Sequence, residues 1–200
     1  MPIKPPLPYR PKALSTVRIP SATYSPALAE QRQQERAQAR LVGGPTFIRD
    51  TREQRGWTFD GARCETGTLK TGDYSVKGLE ETVAIERKSH ADMYGTLNTV
   101  RRRARFAAEL ERASHFKFFA LVIEVDLTSF RQPPPKPRTK RLEYDRNATW
   151  THLERMCVKY NVAPWWCSGR VQAQAVAERL LRCAYLEHWR EIKHENQQEK

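Results

Sequence analysis

A chain of 200 residues with 35 Lys and Arg against 23 Asp and Glu carries a formal charge of +12 and a pI near 9.8, a balance that suggests a polyanionic partner, nucleic acid being the simplest. Its four cysteines (Cys64, Cys157, Cys167 and Cys183) include no C-x-x-C pair and no neighbouring His at zinc spacing, and no apolar run reaches bilayer length. This excludes a zinc ribbon and a helical membrane protein, and the thiols read as reduced. The first residues contain no apolar signal core, so the expectation is a cytoplasmic protein, or a nuclear one in a eukaryotic host.

Residues 1–26 are Pro-rich and basic, with Lys4, Arg10, Lys12 and Arg18 and no acid. They read as an extended tail, either an inert linker or a basic arm that adds DNA affinity. Residues 27–41 are strong helix formers with too few apolar positions for a core face, so an exposed helix is expected, ended by Gly43-Gly44-Pro45. The folded domain is expected over residues 46–194, with 195–200 a frayed end.

Within it, Thr46–Arg49 reads as a strand ending at Asp50, Trp57–Phe59 as a short strand and Asp60-Gly61 as a turn. Leu69–Val76 reads as the next strand, and Lys77–Glu80 turns into a strand over Val83–Lys88, where β-branched residues dominate. A long helix is expected from Ala91 to about Ser114, with Met93, Leu97, Val100, Ala104, Ala107 and Leu110 as its apolar face. Asp92 lies in its first turn, where an acid meets the positive end of the helix dipole. Structural capping is the preferred reading of Asp92. Arg101, Arg102, Arg103 and Arg105 form a basic run on the same helix, either a solvated face or a phosphate contact.

Phe118–Val125 is nearly all apolar and reads as a central strand covered on both faces. Residues 128–146 carry Pro133-Pro134-Pro135 with Lys136, Arg138, Lys140 and Arg141, a surface loop that either clamps DNA or has no regular structure. Ala148–Tyr160 reads as a helix with Leu153 and Met156 or Cys157 inward. Ala163–Cys167 reads as a strand whose Trp165 and Trp166 point to opposite faces, into the core or a dimer contact rather than onto bases. Arg170 to about His194 reads as the last helix, with Val171, Ala175, Leu180, Ala184 and Leu186 on its apolar side. The elements together predict a three-layer α/β/α domain with a central mixed sheet.

The chemistry concentrates at Val83–Lys88. Alternation puts Glu86 and Lys88 on one face of the strand, with Val83 and Ile85 on the other. Asp73, on the preceding strand of a hairpin, stands near Glu86. Two converging carboxylates make a hard oxygen site suited to Mg²⁺ or Mn²⁺, and the lysine suits orienting a water or stabilising a phosphate oxygen. The Arg87 side chain leaves on the opposite face, with an internal ion pair to Glu53 expected. Solvated surface groups are the rival reading of an Asp, a Glu and a Lys on strands.

The order Gly72-Asp73, then Glu86-Arg87-Lys88, then Asp92, with Asp50, Arg52 and Glu53 upstream, resembles the signature of the XPF-type structure-specific endonucleases, a branch of the PD-(D/E)xK superfamily. The likeness implies a restriction-endonuclease-like fold. It further implies a divalent ion surrounded by Asp50, Asp73 and Glu86, a ligand from the Arg87 carbonyl, and supporting roles for Arg52, Glu53, Arg87 and Asp92. Cleavage of branched DNA in repair or recombination, products with 5′-phosphates and a homodimer paired through the C-terminal part of the domain are implied as well. The chain departs from eukaryotic members in having no helix-hairpin-helix module. A catalytically silent DNA-binding module is the alternative, and the filled acid and lysine positions disfavour it.

Overall fold

The computed structural model describes residues 44–59, 62–134 and 146–198. The expectations for residues 1–43, for the Asp60-Gly61 turn and for Lys136, Arg138, Lys140 and Arg141 lie outside these residues. The sheet has six strands in the order β2-β1-β3-β4-β5-β6. They are β1 (Thr46–Asp50), β2 (Arg63–Gly67), β3 (Tyr74–Val76), β4 (Val83–Lys88), β5 (Phe118–Ile123) and β6 (Pro164–Trp166). β3 is antiparallel to both of its neighbours, while β1–β2, β4–β5 and β5–β6 pair in parallel. The expected mixed sheet is therefore present.

Helices cover the two faces. α1 (His90–Asn98), α2 (Val100–Ala113), the single turn α3 (Leu127–Phe130) and α4 (Arg146–Tyr160) supply Met93, Leu97, Phe106, Leu110, Phe130 and Leu153, which pack with Leu121 and Ile123 of β5. α5 (Arg170–Gln198) places Ala173, Ala177 and Leu181 against Phe47, Tyr74, Val76, Ile85, Ala120 and Val122. Leu121 and Ile123 face one layer and Ala120 and Val122 the other, so β5 is covered on both sides as its apolar run predicts. Among the described residues no helix is long and apolar enough to cross a membrane.

Several elements differ from the sequence reading. β2 (RCETG) has no hydrophobic alternation to announce it. It is an exposed edge strand that takes its ladder from β1. Trp57–Phe59 is not a strand. Trp57 is held instead by packing, stacked on Tyr74 with ring centroids 4.8 Å apart, and its backbone N–H donates to the Tyr74 hydroxyl at 2.6 Å. Of Leu69–Val76 only Tyr74–Val76 pairs as a strand, because the Leu69 N–H donates to a carboxylate and Gly72 turns the chain with φ +78. A Cβ on Gly72 would meet the Ile85 carbonyl oxygen at 3.0 Å, so the turn requires glycine.

The expected helix over 91–114 is two helices. Thr99 adopts an extended conformation (φ −109, ψ 116) between them, and Asn98 caps the first by donating to the Tyr94 carbonyl. The break rotates the second helix, so Phe106 is buried while Val100 and Ala104 face outward. A short helix, α3, opens the expected loop over 128–146. α5 buries Ala173, Ala177 and Leu181 rather than Val171 and Ala175, and it runs on to Gln198 through the expected frayed end.

Candidate active site

Three acids lie in a row across the middle of the sheet. The Asp50 N–H donates to the Asp73 carbonyl and the Asp73 N–H to the Ile85 carbonyl, both at 2.8 Å. Tyr74 pairs with Ile85, so one residue further along Asp73 stands opposite Glu86. Directly opposed residues share a face. Asp73 is thus brought beside Glu86 as expected, although it sits in the turn just before β3 rather than on a strand.

Asp50 has another occupation. It is 2% exposed. Its Oδ1 accepts from the Arg52 backbone N–H at 2.8 Å and from Arg52 Nε at 2.7 Å. Its Oδ2 accepts from the Leu69 N–H at 2.7 Å and from Arg52 Nη2 at 3.1 Å. Those four bonds use the lone-pair sites of a carboxylate. Burial works against its charge, but Arg52 and the Leu69 N–H hold its pKa below the ordinary value. Asp50 therefore ties the turn at Arg52 to Leu69. Of the three expected acids, Asp50 is engaged by Arg52, which leaves Asp73 and Glu86 as a pair beside Lys88. Among the described residues no three His, Cys, Asp or Glu side chains are grouped to hold a metal.

That pair is electrostatically loaded. Burial pushes the Asp73 carboxyl up to about 6, against the pull of Lys88 and of the Arg87 N–H that donates to Oδ2 at 2.8 Å. Glu86, 3% exposed, is pushed well above the usual carboxylate range by burial, with Asp73 and Glu109 adding to the shift and Lys88 opposing it. Lys88 donates to Glu86 Oε1 and stands 5.3 Å over the Phe106 ring. Burial disfavours its charge, but Glu86, Asp73 and Glu109 outweigh that, so Lys88 keeps its proton. Two hard oxygen donors whose charge one lysine does not fully offset fit a Mg²⁺- or Mn²⁺-type ion, which commonly takes one or two carboxylates and retains waters.

Beside Lys88 opens a pocket of about 290 Å³. Arg52, Lys70, Lys88, Arg102, Arg105 and Arg112 line it, with Glu109 the one acid. Glu109, Lys70 and Arg112 are functional candidates the sequence reading missed. Glu109 accepts from the Gly72 N–H at 3.3 Å, and Arg112 Nε donates to Thr71 Oγ1 at 3.3 Å, so α2 is pinned to the turn that presents Asp73. The available signal was helical spacing: Glu109 lies four residues after Arg105 and three before Arg112, hence on their face.

The chain's middle matches one family model, the ERCC4 domain, over residues 49–180. The chain belongs to the ERCC4-domain family. This is the XPF-type family of DNA nucleases that the motif order resembles. Among solved structures it is similar to XPF from Aeropyrum pernix, at 21% identity and a TM-score of 0.52, covering 74% of this chain and 69% of that one. XPF from Aeropyrum pernix in complex with DNA matches at the same identity and TM-score, over 70% of this chain and 65% of that one. A comparison with curated proteins gives no significant match.

In this ERCC4 domain the other motif residues surround the pair without joining it. Arg87 leaves on the opposite face of β4 and meets Glu53 at 3.3 Å, the expected partner. It also meets Glu124, which the sequence reading missed, through two bonds of 2.8 Å. Trp57 Nε1 donates to Glu124 at 2.9 Å and Arg170 reaches it at 3.3 Å. Burial opposes the Glu124 charge, yet Arg87, Trp57 and Arg170 hold its pKa below the ordinary value. Asp92 stands in the first turn of α1, whose N-cap is Ser89: Ser89 Oγ accepts from the Asp92 N–H at 3.2 Å and donates to Asp92 Oδ2 at 2.6 Å. The arginine run divides. Arg102 and Arg105 face the pocket, Arg103 donates to the Leu97 carbonyl, and Arg101 is exposed. Trp166 packs into the core between Phe130 and Trp150, while Trp165 is 44% exposed.

Proposed function

We propose that this ERCC4 domain is a divalent-metal-dependent endodeoxyribonuclease that hydrolyses phosphodiester bonds in branched DNA, as in repair or recombination. The observation that carries the reading is the buried Asp73–Glu86 pair beside Lys88, which itself lines a cationic pocket. Asp73 and Glu86 would hold the Mg²⁺ or Mn²⁺ ion. When bound, that ion polarises the scissile phosphate and lowers the pKa of a bound water.

The chain's own groups do the rest. Lys88, donating to Glu86, orients or helps deprotonate the attacking water, or stabilises a phosphate oxygen. Arg52, Lys70, Arg102, Arg105 and Arg112 line the pocket as phosphate contacts that position the strand. Asp50, Arg52 and Glu109 hold the turns that carry the site. Arg87 and Glu53 anchor the strand from behind. DNA as the partner is supported by the DNA complex of the similar XPF and by the +12 charge. A 5′-phosphate and a 3′-hydroxyl are the expected ends.

A homodimer through the β6 edge and α5 belongs to the same reading. Its support is the exposure of Val158, Trp165 and Val171, on α4, β6 and α5. Light scattering at tens of micromolar tests it, and a monomer there sinks it. Cleavage of a panel of forks, flaps, four-way junctions and linear duplex with Mg²⁺ or Mn²⁺ tests the activity. DNA binding without cleavage under any of these conditions would reassign the domain as a binding module.

A further inference from the structure

The catalytic pocket uses only one flank of α2. The other flank faces α4 across a separate groove of about 350 Å³. Its floor is apolar, with Ala104, Ala107 and Met156, and its rim carries Arg103, Arg155 and Lys159. None of the residues lining it is acidic. Arg155 and Lys159 are exposed, one turn apart on α4, where like charges repel. Neither makes a salt bridge with a described residue; Lys159 lies over the Tyr160 ring at 4.8 Å. No carboxylate of the groove offsets the two charges, whereas a polyanion lying along it would.

We infer that the α2–α4 groove is a second track for a DNA backbone, so that α2 forms a ridge between two lines of phosphate contacts. The inference rests on the reading of the domain as acting on DNA. Two features select nucleic acid over an acidic protein segment. The opposite flank of the same helix is equally cationic, through Arg102, Arg105 and Arg112. Moreover, an α-helix with its side chains is about 10–12 Å across, close to the roughly 12 Å width of the major groove of B-DNA. Of the second-flank cations Arg103 stands on α2, while Arg155 and Lys159 stand across the groove on α4, so a cationic line runs along either side of the ridge. The exposed side of the ridge, with Arg101 and Ala108, bears small or cationic groups that a DNA groove admits.

The test uses the full chain and its R155E/K159E variant, with a fluorescent 30-base-pair duplex, a single strand of equal length and poly-glutamate as probes. Each is titrated over a salt series, and single-turnover cleavage is measured at saturating DNA. The inference expects the variant to lose at least tenfold in duplex affinity. The slope of log affinity against log salt should flatten by about two, near 0.9 per lost phosphate contact. The cleavage rate at saturation should stay at the wild-type value. R155Q/K159Q, with no reversed charge, should show a smaller loss in the same direction and guards against misfolding. Unchanged duplex binding in a variant that melts like the wild type overturns the inference. So does a loss confined to poly-glutamate, which would assign the groove to an acidic partner. If the wild type binds no DNA at all, the nuclease reading itself fails; wild-type binding and cleavage with an insensitive R155E/K159E variant sinks only the second track.

Discussion

The two faces of β4 handle charge in opposite ways. Arg87 points to one side, where Glu53, Glu124, Arg170 and the Trp57 N–H close a network that leaves no buried polar side-chain atom among the described residues without a partner. There the carboxylate pKa falls. Glu86 and Lys88 point to the other side, where two buried carboxylates share one lysine and their pKa values rise. Adjacent residues on a single strand thus separate a charge set completed by the protein from one left short of positive charge. The first kind holds a fold together; the second is the charge set on which the proposed nuclease would draw, so sequence neighbours of equal polarity come to have different work.

The largest expected effect breaks the completed side. Glu124→Ala takes from the buried Arg87 its two 2.8 Å bonds and leaves it Glu53 at 3.3 Å, and removing one partner of a buried pair costs about 3–5 kcal/mol. Urea or guanidinium unfolding measures it, and a loss under 1 kcal/mol would show the network to be incidental. The pH dependence has a definite sign. The folded-state pKa of Glu124 is depressed, so its contribution is fully present above the unfolded value of about 4.3 and disappears as pH falls below that. The Glu124→Gln penalty should accordingly shrink in acid.

The open side should behave in reverse. Asp73→Asn and Lys88→Ala are each expected to lose at least about a hundredfold in cleavage rate while keeping the fold and DNA binding. Asp73→Asn should also raise stability at pH 7. The Asp73 carboxyl, near 3.9 in the unfolded chain, is pushed up to about 6 in the folded one, so ionised Asp73 costs stability above that range. The advantage of the variant should fade as pH drops from about 6 to about 4. An Asp73→Asn protein that is less stable at pH 7 would place Asp73 with the structural charges, and full cleavage activity in either variant would remove the site assignment.

How much of this was legible in the sequence follows the same division. Val83–Lys88 announced itself by alternation, and the pairing of Glu86 with Lys88 followed from that period alone. So did the opposite exit of Arg87, whereas its partner Glu53 was an expectation that alternation does not supply. Glu124 did not show, because it follows an apolar strand by one residue and its partners come from three distant segments. Glu109 hid in a helix already explained by its arginines. Asp50 was placed at the right strand end, yet its bonds to Arg52 and Leu69 depend on how a turn folds back, which no spacing rule states. The break at Thr99 escaped because both halves are helix formers, and the apolar period predicted through it put Val100 and Ala104 inward when Phe106 takes that place. Only a packed neighbour decides such a phase.

The smallest effect sharpens the boundary between the two kinds of charge. Asp92 belongs to the signature, and family likeness groups it with the site. Its geometry instead is that of a helix start: Ser89 is the N-cap residue of α1, with φ −72 and ψ 160, and Ser89 and Asp92 bond each other reciprocally. The side chain is exposed, so it carries no desolvation penalty of the kind that loads Glu86. Asp92→Ala should therefore cost about 0.3–1 kcal/mol of stability, the range for an acid near a helix N-terminus, and Asp92→Asn less, since an amide oxygen still accepts from Ser89. Cleavage at a temperature where each variant is folded should change by no more than a few-fold, because α1 carries Met93 and Leu97 of the layer behind the site but no ligand for it. A hundredfold loss in Asp92→Asn, with melting temperature unchanged, would move Asp92 from the start of α1 into the catalytic group and would show that the charge on the open side of β4 extends further than Asp73, Glu86 and Lys88.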